Sequence, residues 1–496
     1  GSVLSPDSLV LCVDEDWRGG AGNALGTLYA FQKAAALARE KTGVDLLDKV
    51  TAGQWSVGLY HTAGKGTRLA PLPGAENNNK PGVKLPATIR VGDKKMPISI
   101  LEAVLKQTGC YAQSRPGRLS VFWGDQVFIP TVPVTYQVGY HVDILCSLGP
   151  MPSEQEWGEK GMDKYGLIAQ SANGSAAQVE KVDHSTATKM LSGLGGEIEK
   201  VGVSLGSFSV SHQMLNCLLE EFSMELDAKT GKLDSDPHLW MPMTLSKESY
   251  IDLMKQKQIP EAESAAHYER IAAMLARFHA RGAASATITV TEEEHFAGAA
   301  DKAPEEATSS SLLGLFGPVD VGQGVCWWDY GQLKLYKQYT LLMTANTREA
   351  ELLRLFFGIT EGTKIQDSTL YHTDVDAHSC VSSSHLGDGA VEAGAADQKR
   401  GFVRNSVLSN VRCNHIEAEN CVLINVTADH IYANGDSITY NYVAPSCTES
   451  VTTAAGNVQA KAGDVTVGVF DESGEQLVMA SAIHHDGGKM WDTRME

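Results

Sequence analysis

Short apolar stretches alternate with segments of helical periodicity over the first 220 residues, and this alternation constrains the fold more than any other feature. Strand candidates lie at residues 55–61, 119–123 and 142–146, and helical patterns cover 24–42 and 98–107. Asn23 is the predicted N-cap of the first helix, because its side chain accepts from free helix N–H groups. Strands that alternate with helices are typical of an α/β domain with a mostly parallel sheet.

Two longer helical patterns follow in the same part of the chain. One covers residues 244–282 with a predicted break at Pro260, and the other covers 335–357. Between them, residues 292–311 are acidic and small, which predicts a solvated loop. Asp234-Ser235-Asp236-Pro237-His238 has residue types that bind metals, but aspartates clustered before a proline favour a turn.

The character of the sequence changes after about residue 381. Ser382-Ser383-Ser384 and a Gly/Ala-rich run to Lys399 predict a linker or long loop. Residues 402–443 then carry short apolar groups separated by Asn, Asp and Gly, and further strands are expected at 465–467 and 477–479. The irregular repeat of five to ten residues favours a left-handed β-helix-like domain, with a β-sandwich as the alternative.

These patterns divide the 496 residues into three segments. Residues 1–50 form a loop and helix joined to the next segment. Residues 51–375 form an α/β domain with a helical insertion at about 240–315. Residues 376–496 form the β-helix-like domain, whose flat flank is a candidate surface for homo-oligomerisation.

Composition narrows the partners. The chain carries 41 basic and 60 acidic residues, a net charge of −19, whereas nucleic-acid polymers and anionic membranes require a basic surface. None of the nine cysteines forms a C-x-x-C pair, and no apolar run reaches membrane-spanning length. We therefore expect a cytoplasmic protein, with an organelle stroma after removal of a transit peptide as the open alternative.

A glycine-rich loop directly follows the strand predicted at 55–61. Its sequence is Ala63-Gly64-Lys65-Gly66-Thr67-Arg68-Leu69. Glycines allow backbone N–H groups to approach an anion closely, and an arginine can clamp phosphate oxygens with two hydrogen bonds. The loop is not a P-loop, because Gly66 stands where Ser or Thr is required, and Leu69 breaks the dinucleotide fingerprint.

Several segments in the same order resemble a known family. After the loop come Pro71-Leu72-Pro73 and Asn79-Lys80-Pro81-Gly82-Val83-Lys84-Leu85-Pro86, and then Phe122-Trp123-Gly124-Asp125, Lys164-Tyr165-Gly166-Leu167-Ile168, Val179-Glu180-Lys181 and Val325-Cys326-Trp327-Trp328-Asp329-Tyr330-Gly331. This series resembles the sugar-nucleotide pyrophosphorylases, which are nucleotidyltransferases acting on sugar 1-phosphates. The N-terminal glycine loop and the irregular β tail are similar, more weakly, to the fucose-1-phosphate guanylyltransferase branch.

The resemblance implies a Rossmann-like domain of the GT-A type and Mg²⁺-dependent transfer of a nucleotidyl group from an NTP to a sugar 1-phosphate. It implies Mg²⁺ ligands at Asp125 and Asp329. It implies catalytic roles for Arg68 and for Lys84 or Lys80, with Lys84 favoured because it leads into a strand-like segment. The implied nucleotide-binding residues are Ala63, Gly64, Lys65, Gly66, Thr67 and Gly124, and the implied sugar-binding residues are Tyr165, Gly166, Glu180 and Lys181.

Some positions depart from the family pattern. Ala63 replaces the first glycine of the signature, His61 and Thr62 replace small apolar residues, and residues 100–120 contain no Gln-Gly base-reading segment. The base and the sugar therefore remain open. A catalytically silent homologue that binds nucleotide sugars is the alternative function. A glycosyltransferase is a third, although that class normally needs an Asp-x-Asp where this chain has only Asp125.

Overall fold

A computed structural model describes residues 4, 6–62, 64, 66–133, 139–191, 197–291, 313–388, 400–444 and 456–485. Ala63 and Lys65, the acidic segment predicted at 292–311, and most of the linker predicted before Lys399 lie outside the described residues. Within the described residues, no helix is both long enough and apolar enough to span a membrane.

The N-terminal part combines helices and strands, as the alternation in the sequence predicts. Its helices are α1 (Gly22–Thr42), α2 (Leu46–Thr51), α3 (Ile100–Gln113), α4 (Glu154–Glu159), α5 (His184–Leu191), α6 (His212–Glu221), α7 (Ser223–Ala228), α8 (Met241–Thr244), α9 (Lys247–Gln256), α10 (Glu261–Thr291), α11 (Leu333–Leu342) and α12 (Arg348–Phe356). Its strands are β1 (Val57–His61), β2 (Lys84–Val91), β3 (Lys94–Ser99), β4 (Arg118–Trp123), β5 (Gln126–Ile129), β6 (Tyr140–Pro150), β7 (Gly166–Ser171), β8 (Ala176–Glu180), β9 (Ile198–Ser211), β10 (Gly314–Asp320) and β11 (Cys326–Asp329).

The main sheet has the order β1-β4-β9-β6-β10, with β7 attached to β9 and β8 to β7. β1 pairs with β4 in parallel, and so does β10 with β6. The long strand β9 runs antiparallel to β4, β6 and β7, so the sheet is mixed and not mostly parallel as predicted. The parallel pairing of β1 and β4 places the residues after both strands at one edge, where ligands bind in open α/β sheets.

Local sequence explains most helix boundaries. The helix predicted at 98–107 begins at Ile100, because Ser99 accepts from the Glu102 N–H and Glu102 in turn accepts from the Ser99 N–H. The pattern at 244–282 breaks at Pro260, as predicted, between α9 and α10. The single helix predicted at 335–357 is wrong: α11 ends at Leu342, and Thr347 caps a new helix by accepting from the Ala350 N–H.

The start of α1 also differs from the prediction. Ala21, not Asn23, is the N-cap, and Asn23 lies inside the first turn. The Asn23 amide oxygen instead accepts from the Ser235 N–H at 2.5 Å, and the Asn23 N–H donates to Asp234 Oδ1 at 3.0 Å. A Cβ on Gly22, whose φ is +74°, would lie 2.3 Å from the Leu233 carbonyl oxygen. The N-terminal loop is therefore fitted closely against residues 233–235.

The C-terminal part consists of strands that belong to two separate sheets. They are β12 (Ile365–Gln366), β13 (Thr369–Leu370), β14 (Thr373–Val375), β15 (Cys380–Ser382), β16 (His385–Leu386), β17 (Gly401–Arg404), β18 (Val407–Cys413), β19 (His415–Glu419), β20 (Val422–Thr427), β21 (His430–Asn434), β22 (Ile438–Val443), β23 (Asn457–Ala460), β24 (Asp464–Phe470) and β25 (Gln476–Ala482). From β17 to β24, successive strands alternate between the sheets, and the pairing is parallel until β25. Parallel pairing differs from the antiparallel pairing of a β-sandwich.

Asparagines at the bends explain how these short strands turn. Asn410, Asn425 and Asn441 all have positive φ, a conformation that asparagine tolerates better than most residues. The Asn410 amide donates to the Asn425 side chain at 2.9 Å, and the Asn425 amide donates to Asn441. The regular spacing of these asparagines therefore places equivalent bends in the neighbouring strands β18, β20 and β22.

The serines at 382–384 do not form a linker. Ser382 ends β15 and is buried, and its hydroxyl donates to the Pro86 carbonyl oxygen at 3.0 Å. Ser384 is also buried and donates to the Ser382 carbonyl oxygen. The C-terminal sheets already begin at β12, before residue 376, because β12 pairs with β15.

One apolar cluster joins the two parts of the chain. It contains Leu69 and Leu72 next to the glycine loop, Trp328 from β11, and Val407 and Tyr440 from the C-terminal sheet. The segment that carries the predicted phosphate-binding residues therefore packs on the C-terminal sheet as well as on β11.

Candidate functional site

The glycine-rich loop leaves β1 at the edge of the main sheet. Gly64 and Gly66 have φ of +122° and +65°, which few other residues adopt without strain. A Cβ on Gly66 would lie 3.0 Å from the Lys80 Cβ, so the loop backbone passes close to that lysine. Residues 67–69 form one helical turn that buries Leu69 and leaves Arg68 exposed.

Asp125 lies beside this loop because β4 runs parallel to β1. Gly124 donates its N–H to the His61 carbonyl oxygen at 3.0 Å. A Cβ on Gly124 would lie 2.8 Å from that same oxygen, so only glycine fits at this position. The following residue, Asp125, is thereby placed at the carboxyl edge of the sheet.

Asp329 meets Asp125 through the pairing of β5 and β11. Asp329 is opposite Gln126 in this antiparallel pair, and the Tyr330 N–H donates to the Asp125 carbonyl oxygen at 2.9 Å. A Cβ on Gly331 would lie 2.5 Å from Asp125 Oδ2 and 2.9 Å from Asp329 Oδ1. The two carboxylates predicted as metal ligands therefore flank one glycine, although 204 residues separate them in the sequence (329 − 125).

Two cations accompany these carboxylates. Lys80 Nζ lies 2.5 Å from Asp125 Oδ2, and both side chains are largely buried. Burial raises the pKa of Asp329, and the nearby negative charge of Asp125 raises it further. The hydrogen bond from the Gly331 N–H and the positive charges of Arg68 and Lys80 act in the opposite direction and favour the ionised carboxylate of Asp329. Two carboxylates of like charge therefore lie together, an arrangement that favours a bound cation. The positive groups beside them, Arg68 and Lys80, are suited to binding phosphate.

The chemistry of these donors fits a magnesium ion. Mg²⁺ typically binds one or two carboxylates and completes its shell with water and substrate phosphates. The space between Asp125 and Asp329 is left open by the missing side chain of Gly331. The described residues contain no group of three or more His, Cys, Asp or Glu arranged to hold a metal ion.

Lys84 has a different environment from Lys80. Its ammonium group pairs with Glu76, and its backbone N–H donates to the Tyr440 hydroxyl at 2.8 Å. Tyr440 in turn donates to Glu76 Oε1 at 2.5 Å, and Tyr336 donates to the Lys84 carbonyl oxygen at 2.6 Å. Lys84 therefore belongs to the contact with the C-terminal sheet, and Lys80 contacts the carboxylate pair.

The four residues predicted to bind the sugar come together at the end of the β7–β8 hairpin. Gly166 is opposite Glu180, and the Lys181 N–H donates to the Tyr165 carbonyl oxygen at 3.0 Å. Glu180 is largely buried and pairs with the exposed Lys181 ammonium. The Tyr165 ring lies 5.9 Å from that of Trp327, two residues before Asp329. This group is thus linked to the carboxylate pair.

The structure adds residues that the sequence motifs do not assign to the site. The His61 ring stacks on Trp123 at 5.1 Å, and its Nε2 lies 2.8 Å from Thr27 Oγ1. Burial lowers the pKa of His61 to about 4, so this histidine is neutral at pH 7. Asp236, predicted to lie in a turn, begins a π-helical turn beside Gly166. Two sequence features point to these residues. His61 replaces a small apolar residue of the family pattern, and Asp236 lies in the run Asp234–His238.

Comparisons with known proteins give little beyond this geometry. No protein-family model matches the sequence, and no curated protein is significantly similar to it. Among solved structures, the chain is similar to the crystal structure of mannose-1-phosphate geranyltransferase from Thermus thermophilus, with 13% identity and a TM-score of 0.30. The match covers 89% of this chain and 99% of that one. A likeness with so low a TM-score carries no conclusion about activity.

Proposed function

We propose that this protein transfers a nucleotidyl group from an NTP to a sugar 1-phosphate and releases pyrophosphate. The observation that carries the proposal is the pair Asp125 and Asp329 on either side of Gly331, with Lys80 on Asp125. A glycine-rich turn with an exposed Arg68 lies beside that lysine. Two carboxylates next to phosphate-binding groups are suited to phosphoryl chemistry, which depends on positioning and charge neutralisation.

The proposal extends to the fold. We assign the mixed sheet to a Rossmann-like domain of the GT-A type, because β1 and β4 end together at the site. We assign the C-terminal part to a left-handed β-helix-like domain, because successive parallel strands alternate between two sheets. The pairing registers support this assignment, since Val407 pairs with Val422 and Val422 pairs with Ile438.

In the proposed reaction an oxygen of the sugar phosphate attacks the α-phosphorus of the NTP. A new phosphorus–oxygen bond forms, and the bond between the α-phosphorus and the bridging oxygen breaks as pyrophosphate leaves. Arg68 stabilises the negative charge that develops on the leaving group, and the N–H groups of the loop hold the phosphates. No protein nucleophile is needed.

Asp125 and Asp329 are the residues that would hold Mg²⁺. When bound, this ion neutralises phosphate charge in the transition state. Lys80 contacts Asp125 and Lys84 pairs with Glu76, which favours Lys80 as the catalytic lysine whose ammonium group would bind a phosphate oxygen. Tyr165, Gly166, Glu180 and Lys181 are proposed to contact the sugar.

The direct test is pyrophosphate release from mixtures of protein, Mg²⁺, one NTP and one sugar 1-phosphate, taken through all four NTPs and a panel of sugars. We expect release with at least one pair and none when the sugar phosphate is omitted. Ligand-induced thermal stabilisation without release from any pair would favour the catalytically silent homologue instead. Sugar transfer from a preformed nucleotide sugar would favour the glycosyltransferase.

Gly331→Ala is expected to lower kcat by at least about tenfold, because the new methyl group would enter the space between the two carboxylates. Steady-state kinetics at saturating substrate and Mg²⁺ measure the effect. Gly109→Ala in α3 is the matched control, since a Cβ there meets nothing within 4 Å. If Gly331→Ala had the same kcat as Gly109→Ala, Gly331 would not be part of the site.

A further inference from the structure

Polar side chains from two further segments meet at the bare backbone of Gly166. A Cβ on Gly166 would lie 3.5 Å from the Gln178 amide nitrogen and 3.9 Å from Asp236 Oδ2. Gln178 comes from β8, whereas Asp236 comes from the π-helical turn Asp236–Trp240. The Gly166 backbone therefore faces an amide and a carboxylate, with Ser204 beside them at 3.6 Å from the same position.

Gln178 lacks one of the partners that a buried amide normally has. It is fully buried, its amide nitrogen contacts the Asp236 carboxylate, and its amide oxygen makes no hydrogen bond within the described residues. Buried polar groups in folded proteins are almost always hydrogen-bonded, because an unsatisfied group costs free energy. The amide oxygen of Gln178 is therefore an acceptor available to a donor from a ligand.

Asp236 is a carboxylate held in an unfavourable place. Burial raises its pKa to about 6, and the neighbouring Glu180 charge adds to the effect, while the Gln178 amide, Lys181 and Lys257 oppose it. Pi-helical turns are rare and frequently occur at functional sites. The turn is also anchored, because Asn23 bonds to Asp234 and Ser235 immediately before it.

The cluster is continuous with the proposed sugar site. Gly166 follows Tyr165, whose ring lies 5.9 Å from Trp327, and Trp327 belongs to the strand that ends at Asp329. Gly166 is also opposite Glu180 across the hairpin. A ligand bound over Gly166 would therefore lie between the carboxylates proposed to hold Mg²⁺ and the Gln178–Asp236 pair.

We propose that Gln178 and Asp236 bind two neighbouring hydroxyl groups of the sugar and determine which sugar is accepted. This inference rests on the proposed function. Gln178 and Asp236 lie outside the sequence segments that resemble the pyrophosphorylase family. A carboxylate accepts from a hydroxyl, and an amide both donates and accepts, so the pair matches adjacent hydroxyls that each donate and accept. A site built in this way rejects analogues that lack a hydroxyl, because its own buried groups then stay unpaired.

Calorimetric binding of sugar 1-phosphates to the full chain tests the inference separately from turnover. The probes are glucose, mannose, galactose and fucose 1-phosphates, and deoxy analogues of the tightest binder. Asp236→Asn and Gln178→Met are each expected to weaken binding of that sugar phosphate by about tenfold or more and to leave NTP binding unchanged. One deoxy analogue should bind the unaltered protein weakly and should lose little further affinity in the variants.

Thermal stability separates a binding role from a structural one. Removing a buried charge next to Glu180, or a buried amide whose oxygen has no partner, should raise the melting temperature at pH 8. Structural groups would lower it when replaced. Asp252→Asn, which alters an exposed aspartate on α9, is the control and should change neither quantity.

The outcomes distinguish the two proposals. Weakened sugar binding in both variants, without pyrophosphate release by the unaltered protein, would support this inference and contradict the proposed reaction. Pyrophosphate release with unchanged sugar binding in both variants would overturn the inference and leave the reaction in place. Failure of the unaltered protein to bind any sugar phosphate of the panel would overturn this inference.

Discussion

Asp125→Asn is expected to lower kcat for pyrophosphate release by at least about 10²-fold, because it removes one of the two carboxylates that would hold Mg²⁺. The Mg²⁺ concentration that gives half the maximal rate should rise as well. The fold should be retained with a lower melting temperature, because the backbone hydrogen bond from Tyr330 does not involve the Asp125 side chain while the Lys80 ammonium loses its charged partner. Rates measured over a range of Mg²⁺ concentrations, together with melting temperatures, test these expectations.

The control for this substitution is Asp227→Asn, which neutralises an exposed carboxylate on α7 far from the site in the sequence. It should leave both the rate and the Mg²⁺ dependence unchanged. If Asp125→Asn retained full activity with an unaltered Mg²⁺ dependence, the assignment of the carboxylate pair as the metal site would be wrong.

Lys84→Met is expected to act on stability, and Lys80→Met on turnover. Lys84 and Glu76 are largely buried, and removing the lysine leaves the Glu76 carboxylate with the Tyr440 hydroxyl as its remaining partner. Breaking a buried ion pair in this way typically lowers the free energy of unfolding by about 3 kcal/mol. Lys80→Met also breaks a largely buried ion pair, but it should in addition lower kcat by about tenfold or more, because the proposed contact of a positive charge with the reacting phosphates is lost.

Denaturant unfolding and steady-state kinetics of both variants measure this separation. The double variant Lys84→Met with Glu76→Gln should recover most of the lost stability, since the unpaired charge is then absent as well. A stable Lys84→Met protein with strongly reduced kcat would contradict the assignment and restore Lys84 as the catalytic lysine.

The sequence predicts the elements of the fold better than their arrangement. Apolar patterns located β1, β4, β6, α3 and the helices around Pro260, because the strands are short apolar runs and the helices bury an apolar face. They did not reveal that β9 enters the sheet in the reverse direction, since the direction of a strand depends on long-range pairing. The break between α11 and α12 depends on the Thr347 cap, which lies in the polar run Asn346-Thr347-Arg348.

At the site, too, short motifs predict some features, whereas others depend on contacts between residues that are far apart in the sequence. Short motifs identified Asp125 and Asp329 as candidate ligands, and the structure brings their carboxylates to one glycine. The sequence favoured Lys84 over Lys80, whereas in the structure Lys80 contacts Asp125 and the Lys84 backbone contacts Tyr440, more than 350 residues later. The sequence predicted only a turn at Asp236. The burial of this carboxylate next to Glu180 arises from long-range packing and leaves no local sequence signal.

The fate of the α-phosphorus is the most direct test of the central claim. The unaltered protein is incubated with Mg²⁺, an NTP labelled at its α-phosphate and the sugar 1-phosphate that supports pyrophosphate release. We predict that the label appears in a nucleotide sugar in an amount equal to the pyrophosphate formed. Label that remains in NTP, or that appears only in free nucleoside monophosphate, would contradict nucleotidyl transfer by this site.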